Sequence, residues 1–219
     1  MSLVKKISNF EASCYDSDME LTNIYADLHK QVTGYMLNTV LDFRSQEIIQ
    51  DLQQKFNIEF ADAVYSINQD SLHITLMDWV APLVDYKENK EALFNSLFPH
   101  YDTVFREIIK EVKSFHVTFD TIGVSSEAIF LIGHDEGQFR TIRDSFTDHI
   151  NLVPGTKQPP TIIHTSIIRF TRQIDIKHIE AFASTFSVQF TQNVNAFRLV
   201  NEKVIPMLQY DVIKTYKLN

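Results

Sequence analysis

A histidine two residues ahead of a hydroxyl side chain recurs in this sequence, at His73-Ile74-Thr75, His116-Val117-Thr118 and His164-Thr165-Ser166. In an extended strand, residues i and i+2 point the same way and lie about 7 Å apart. Each triplet on a strand would therefore present an imidazole and a hydroxyl side by side. Imidazole, with an unperturbed pKa of about 6.5, serves as general base or general acid near neutrality. The hydroxyl can donate a hydrogen bond to an oxygen on which negative charge must be held. Two such strands facing each other would suit in-line displacement at a phosphodiester. One histidine would take a proton from the nucleophile, and the other would give one to the leaving oxygen. That chemistry requires no metal and no cofactor.

Spacing alone does not choose among the three triplets. Ser and Thr make up about one residue in seven, so eight histidines would give about one match by chance. Each triplet sits between apolar neighbours: Leu72 and Leu76, Phe115 and Phe119, Ile163 and Ile167. In the first, Leu72, Ile74 and Leu76 would face a core while His73 and Thr75 look into a cleft, and His164 and Ser166 repeat the arrangement. By local pattern His116 is as good a candidate as the others.

The elements that must position these residues follow from periodicity. Ile24, Leu28, Val32, Tyr35, Met36, Val40 and Phe43 recur at helical spacing, and Ile48, Ile49, Leu52 and Phe56 continue it. This predicts one long helix or two, with Gly34 as a weak point, and a helical N-terminal extension over about residues 1–57 whose first twenty residues are a polar lead-in. Strands are expected over 60–67 and 72–80, and helix over 87–112 with Pro99 opening a new helix. A strand pair follows at 115–122 and 128–132, turned near Gly123. Then come a helix over 137–152 ended by Pro154-Gly155, a strand over 161–170, and a helix over 175–186 capped by Asp175. The tail, 188–218, reads as two long strands turned at Asn201-Glu202. Several connections are hairpins, which favours an α+β fold with antiparallel sheets over a doubly wound parallel sheet.

Composition narrows the partners. The chain has 219 residues, enough for one domain or two lobes sharing a core, and 17 Phe and 8 Tyr supply that core. A formal net charge of −8 argues against a protein that coats long nucleic acid, while leaving room for a nucleotide or a single RNA terminus. Around the third triplet the balance reverses locally. Between residues 137 and 178 six Lys/Arg (Arg140, Arg143, Lys157, Arg169, Arg172, Lys177) stand against three Asp. Cys14 is the single cysteine, which excludes an internal disulfide and a cysteine-based zinc site and fits a reducing cytoplasm. No signal-like or membrane-spanning apolar run is present, so a cytoplasmic protein without membrane attachment, acting as a monomer, is expected. His134-Asp135-Glu136 reads as a loop before a helix rather than a metal cluster, and Asp16-Ser17-Asp18 lacks the rest of a calcium loop. Trp79 and Tyr65 could stack a base but are more ordinary as core.

The whole pattern resembles the 2H phosphoesterase superfamily, which includes 2′,3′-cyclic phosphodiesterases and enzymes called 2′-5′ RNA ligases. Its members carry two apolar–His–x–Thr/Ser–apolar motifs, usually somewhat under a hundred residues apart. Leu72-His73-Ile74-Thr75-Leu76 and Ile163-His164-Thr165-Ser166-Ile167 match them, 91 residues apart (164 − 73). Arg169 sits where the family's second motif often has an arginine. The strand pair around Gly123 matches the family's connecting strands, which makes His116 a decoy. One departure is Thr165, polar where the first motif has Ile74.

The resemblance implies a two-lobed, pseudo-symmetric α+β fold, a single unit over 1–219. Each lobe would be an antiparallel sheet with outer helices, and the motif strands would line a central cleft. His73 and His164 would divide acid and base, with Thr75, Ser166 and Arg169 binding phosphate. The substrate would be a cyclic or 2′-5′-linked phosphodiester of a nucleotide or RNA end. Two alternatives use the same site: a nucleotide or RNA-end binding module without turnover, and an RNA-end ligase.

Overall fold

Asp42, Asn89 and Asp175 each place a side-chain oxygen on the open amides of a following helix, and these caps fix where three of the four helices begin. The structure, a computed structural model, describes residues 21–219. Cys14 and the Asp16-Ser17-Asp18 cluster lie outside the described residues. The helices are α1 (Phe43–Phe60), α2 (Lys90–Ile109), α3 (Gln138–His149) and α4 (Ile176–Ala183). The strands are β1 (Gln31–Val40), β2 (Val64–Ser66), β3 (His73–Val80), β4 (Phe115–Val124), β5 (Ala128–His134), β6 (Ile163–Phe170), β7 (Phe190–Val194), β8 (Ala196–Val204) and β9 (Gln209–Lys217).

The strands form two antiparallel sheets, ordered β3-β1-β8-β9 and β2-β6-β5-β4-β7. Helices α2 and α3 pack on the first sheet and α1 and α4 on the second, so each sheet carries its own pair of helices. The fold class is α+β, as the hairpin pattern implies. One core runs through both lobes. Trp79 is fully buried at its centre, stacked on Phe146 at 6.1 Å and meeting Tyr101 edge-on at 5.4 Å. It is therefore unavailable to a ligand.

A segment ahead of β1 straps the lobes together. Thr22 N–H donates to the Ile174 carbonyl (2.8 Å), Asn23 N–H to Ser126 (2.6 Å) and Tyr25 N–H to Phe170 (2.7 Å), all on the side of the second sheet. Four residues on, His29 N–H donates to Ile205 (2.9 Å) and Ile205 N–H to Lys30 (3.1 Å), at the β8–β9 turn of the first sheet. Among the described residues no helix is long and apolar enough to cross a membrane.

Four sequence readings need correction. Residues 31–40, read as helix, form β1, so the helical extension over about 1–57 reduces, among described residues, to the first part of α1. β1 is an interior strand between β3 and β8, and the six residues from Gly34 to Thr39 are all buried. A strand buried on both faces does not alternate, and a short apolar run of this kind cannot be told from a buried helix by periodicity. Gly34 is needed for close approach, since a Cβ there would lie 2.7 Å from Pro82. The predicted strand at 60–67 is mostly the end of α1 and a 3₁₀ turn, leaving β2 with three residues. Pro99 lies inside one continuous α2, because Leu93 and Phe94 before it and Tyr101, Phe105 and Ile109 after it share a buried face that outweighs one lost hydrogen bond. The tail holds three strands, turning at 205–208. Asn201 and Glu202 are mid-strand, and the buried Glu202 Oε1 accepts from Met207 N–H (2.6 Å) across that turn.

Candidate active site

β3 forms one edge of the first sheet, and it meets β6 of the second along the seam between the lobes. A cavity of about 210 Å³ opens there. His73 and Thr75 line it from β3, and His164, Ser166 and Arg169 from β6. All five residues singled out in the sequence thus border one space. His116 does not border it. It is exposed on β4, paired with Asn193 of β7 at the other edge of the second sheet. Tyr65 does not line it either, and packs edge-on against His29 at 6.0 Å.

The two motif strands share a distortion that a regular strand pattern conceals. Along the β1–β3 ladder Asn38 pairs with Thr75 but Leu37 pairs with Met77, so Leu76 is an extra residue. Along β5–β6, Phe130 pairs with Ser166 but Ile129 with Ile168, so Ile167 is extra. After each bulge the alternation shifts by one. Arg169, three residues past Ser166, would point away from the cleft on a regular strand. The bulge turns it back in, and Asp78 reaches the cavity from β3 by the same means. Each motif therefore reads His-x-Thr/Ser-x-x-(Asp or Arg) on one face.

A buried helix side chain secures each bulge. Arg143 on α3, 5% exposed, donates through Nε to the Leu76 carbonyl (2.9 Å) and through Nη2 to Thr75 (2.7 Å). Its Nη1 reaches the Ile162 carbonyl just before β6 (3.2 Å), joining the two motif strands. In the other lobe Gln53 on α1, also 5% exposed, donates to the carbonyls of Ile167 and Ile67, both at 2.8 Å. Carbonyls released from a ladder inside a core need such partners. Thr165, polar where the first motif has Ile74, points into this core. It is 1% exposed, and its hydroxyl finds no hydrogen-bond partner among the described residues.

The electrostatics favour uncharged imidazoles at rest. Burial holds the His73 pKa below its ordinary value, opposing the bond to Ser71, with Arg198 and Arg169 adding to the depression. His73 Nδ1 lies 2.6 Å from the Ser71 carbonyl, which can only accept. The proton therefore sits on Nδ1, and Nε2 carries the lone pair. His164 is lowered to about 4, chiefly by burial and then by His73, Arg143 and Arg169. On the acidic side, burial pushes Asp78 up to about 6 and Glu202, 4% exposed, up to about 7. Arg169 stacks over the Tyr25 ring (4.8 Å), brings Nη2 to 3.5 Å from Ser166 Oγ, and has a buried Nε with no hydrogen-bond partner among the described residues. Tyr25, whose phenol burial pushes up to about 12, is a further wall residue.

Tyr25, Asp78, Glu202, Arg143 and Gln53 were not singled out as site residues in the sequence. A local trace existed only for Asp78: the adjacent apolar pairs Leu76-Met77 and Ile167-Ile168 break the alternation at equivalent points of both motifs. At His134-Asp135-Glu136, the Asp135 carboxylate accepts from the amides of Gly137 and Phe139 and so organises the start of α3.

No family model matches the chain, and no curated protein matches it in sequence. Solved structures do match in fold. TT0787 of Thermus thermophilus is similar with a TM-score of 0.61 at 14% identity, covering 84% of this chain and 97% of that one. E. coli LigT in its apo form gives a TM-score of 0.60 at 15% identity, covering 87% of this chain and 99% of that one. Its complex with 3′-AMP gives 0.53 at 15% identity over the same shares. The MHV ns2 PDE domain gives 0.51 at 13% identity, covering 77% of this chain and 98% of that one. These proteins are members of the 2H phosphoesterase superfamily, and this chain has their fold.

Proposed function

We propose that this protein is a metal-independent 2H-type phosphodiesterase, hydrolysing a 2′,3′-cyclic or 2′-5′-linked phosphodiester of a nucleotide or RNA end. The observation that carries the reading is the convergence of both His-x-Thr/Ser faces and Arg169 on one cavity between the lobes. His73 Nε2, its lone pair fixed by the Nδ1–H bond to Ser71, takes the proton of the attacking water. The water oxygen bonds to phosphorus, and the bond from phosphorus to the leaving ribose oxygen breaks. His164 protonates that oxygen, having taken up its proton as the anionic phosphate enters. Thr75 and Ser166 donate to the non-bridging oxygens, and Arg169 offsets their charge. The cavity is small for a ligand site, which suits a nucleotide or strand terminus better than an extended polymer. That LigT was solved in complex with 3′-AMP supports a nucleotide as the class of ligand.

The test is hydrolysis of 2′,3′-cyclic nucleotides in EDTA. His73→Ala and His164→Ala should each lower kcat by at least about a hundredfold, while His116→Ala stays near wild type. Activity that survives both triplet substitutions would refute the assignment. Tight binding of a cyclic nucleotide that stays intact would make the site a binding module, and joining of RNA halves would make it a ligase.

A further inference from the structure

The two halves of the cleft match in imidazole and hydroxyl but not in charge. The sixth position of the motif frame is Arg169 on β6 and Asp78 on β3, each delivered to the cavity by its own bulge. We propose that Asp78 reads the substrate's base and selects guanine. This rests on the nucleotide reading of the cavity given above and names the substrate class within it.

Two acids, Asp78 and Glu202, border the cavity together with Arg169, so an anion is favoured at the Arg169 end and repelled from the Asp78 end. The pseudo-symmetric site thereby acquires a direction, with the phosphate held between the two motifs and drawn toward Arg169, and the base reaching toward Asp78. Glu202 already accepts from Met207 N–H. The half-buried Asp78 carboxylate accepts no hydrogen bond among the described residues, and the charge of Lys157 only partly offsets its burial. A carboxylate removed from water without donors is costly, and a ligand that brings donors recovers that cost.

Base chemistry then decides. An ionised carboxylate offers acceptors only. The Watson–Crick edge of guanine presents two adjacent donors, N1–H and the N2 amino group, one for each oxygen. Adenine places its N1 lone pair beside the N6 amino group, setting acceptor against acceptor. Cytosine sets its N3 and O2 acceptors beside a single N4 donor, and uracil flanks its single N3–H donor with two acceptors, so neither offers a carboxylate two adjacent donors. A carboxamide is the complement of adenine, with one donor and one acceptor. Asp78→Asn, equal in size, should therefore move the preference rather than merely weaken it.

The experiment measures binding of 3′-GMP and 3′-AMP to the full chain by calorimetry at about pH 7.5, where Asp78 is ionised, for wild type and Asp78→Asn, alongside turnover of guanosine and adenosine 2′,3′-cyclic phosphates at the same pH. Wild type should bind 3′-GMP at least about tenfold more tightly than 3′-AMP. Asp78→Asn should erase or invert that ratio. Equal wild-type affinities, absence of binding by either nucleotide, or an unchanged guanine preference in the variant would overturn the inference. The wild-type comparison holds whether or not the variant folds. A guanine preference in binding without turnover would sink the hydrolase and leave the base reading standing. Turnover without discrimination would do the reverse.

Discussion

Catalytic efficiency should be highest on the acid side of neutrality. The productive free enzyme needs one imidazole protonated and the other neutral, and the population of that state peaks between the two pKa values. Both lie below the ordinary histidine value: His73 by burial with help from Arg198 and Arg169, His164 at about 4 by burial with help from His73, Arg143 and Arg169. The peak in kcat/KM must then fall below about pH 6.5. Above the higher pKa the protonated imidazole declines tenfold per pH unit, so a rise from about pH 6.5 to 8 should cost about thirtyfold. The anionic substrate raises both values once bound, so the optimum in kcat should sit at higher pH than that in kcat/KM. The assay is cyclic-nucleotide hydrolysis from about pH 4.5 to 9 at constant ionic strength, with the histidine C2–H resonances titrated by NMR. An efficiency optimum at or above about pH 7.5, or His164 titrating near 6.5, would refute the electrostatic reasoning. Arg169→Met should shift the profile upward, since Arg169 depresses both imidazoles.

Three further outcomes concern stability. Arg143→Met leaves the carbonyls of Thr75, Leu76 and Ile162 without its donors and should cost about 3 kcal/mol, with a Tm lower by about 6–12 °C and a larger proportional loss in kcat than in protein folded at assay temperature. Glu202→Gln should stabilise the protein in alkali. A carboxyl raised from 4.5 to about 7 contributes stability that is complete below pH 4.5 and lost as pH rises through 7. The amide escapes that loss, gaining up to about 3 kcal/mol on wild type near pH 8 and little near pH 5, as denaturant titrations at the two pH values would show. Thr165→Val replaces a buried hydroxyl that has no partner among the described residues, and should raise stability by about 1 kcal/mol in urea unfolding.

The triplets were legible because residue type and local spacing carry their chemistry, and the hairpins revealed the α+β class because strand pairs follow one another along the chain. What the sequence hid was decided by partners distant in it. β1 reads as helix until β3 and β8 are placed on either side of it. Nothing near residue 143 says that its guanidinium will serve carbonyls at 75 and 76. The direction of Arg169 turned on a bulge whose only local mark is the doubled isoleucine at 167 and 168. Glu202, in a stretch read as a turn, is a cavity wall because β8 runs through it.

The strap over residues 22–30 constrains how this cleft can work. It is fastened by main-chain bonds to Phe170 and Ile174 in one lobe and to Ile205 in the other, with Tyr25 standing at the cavity between those anchors. Swinging the lobes apart would require surrendering one set of anchors, with no regular secondary structure to take up the freed amides. The strap consequently opposes any hinged widening of the cleft. On the function proposed above, substrates would be sorted by whether they fit the opening as it stands, and products would leave through it without the swing of a jaw.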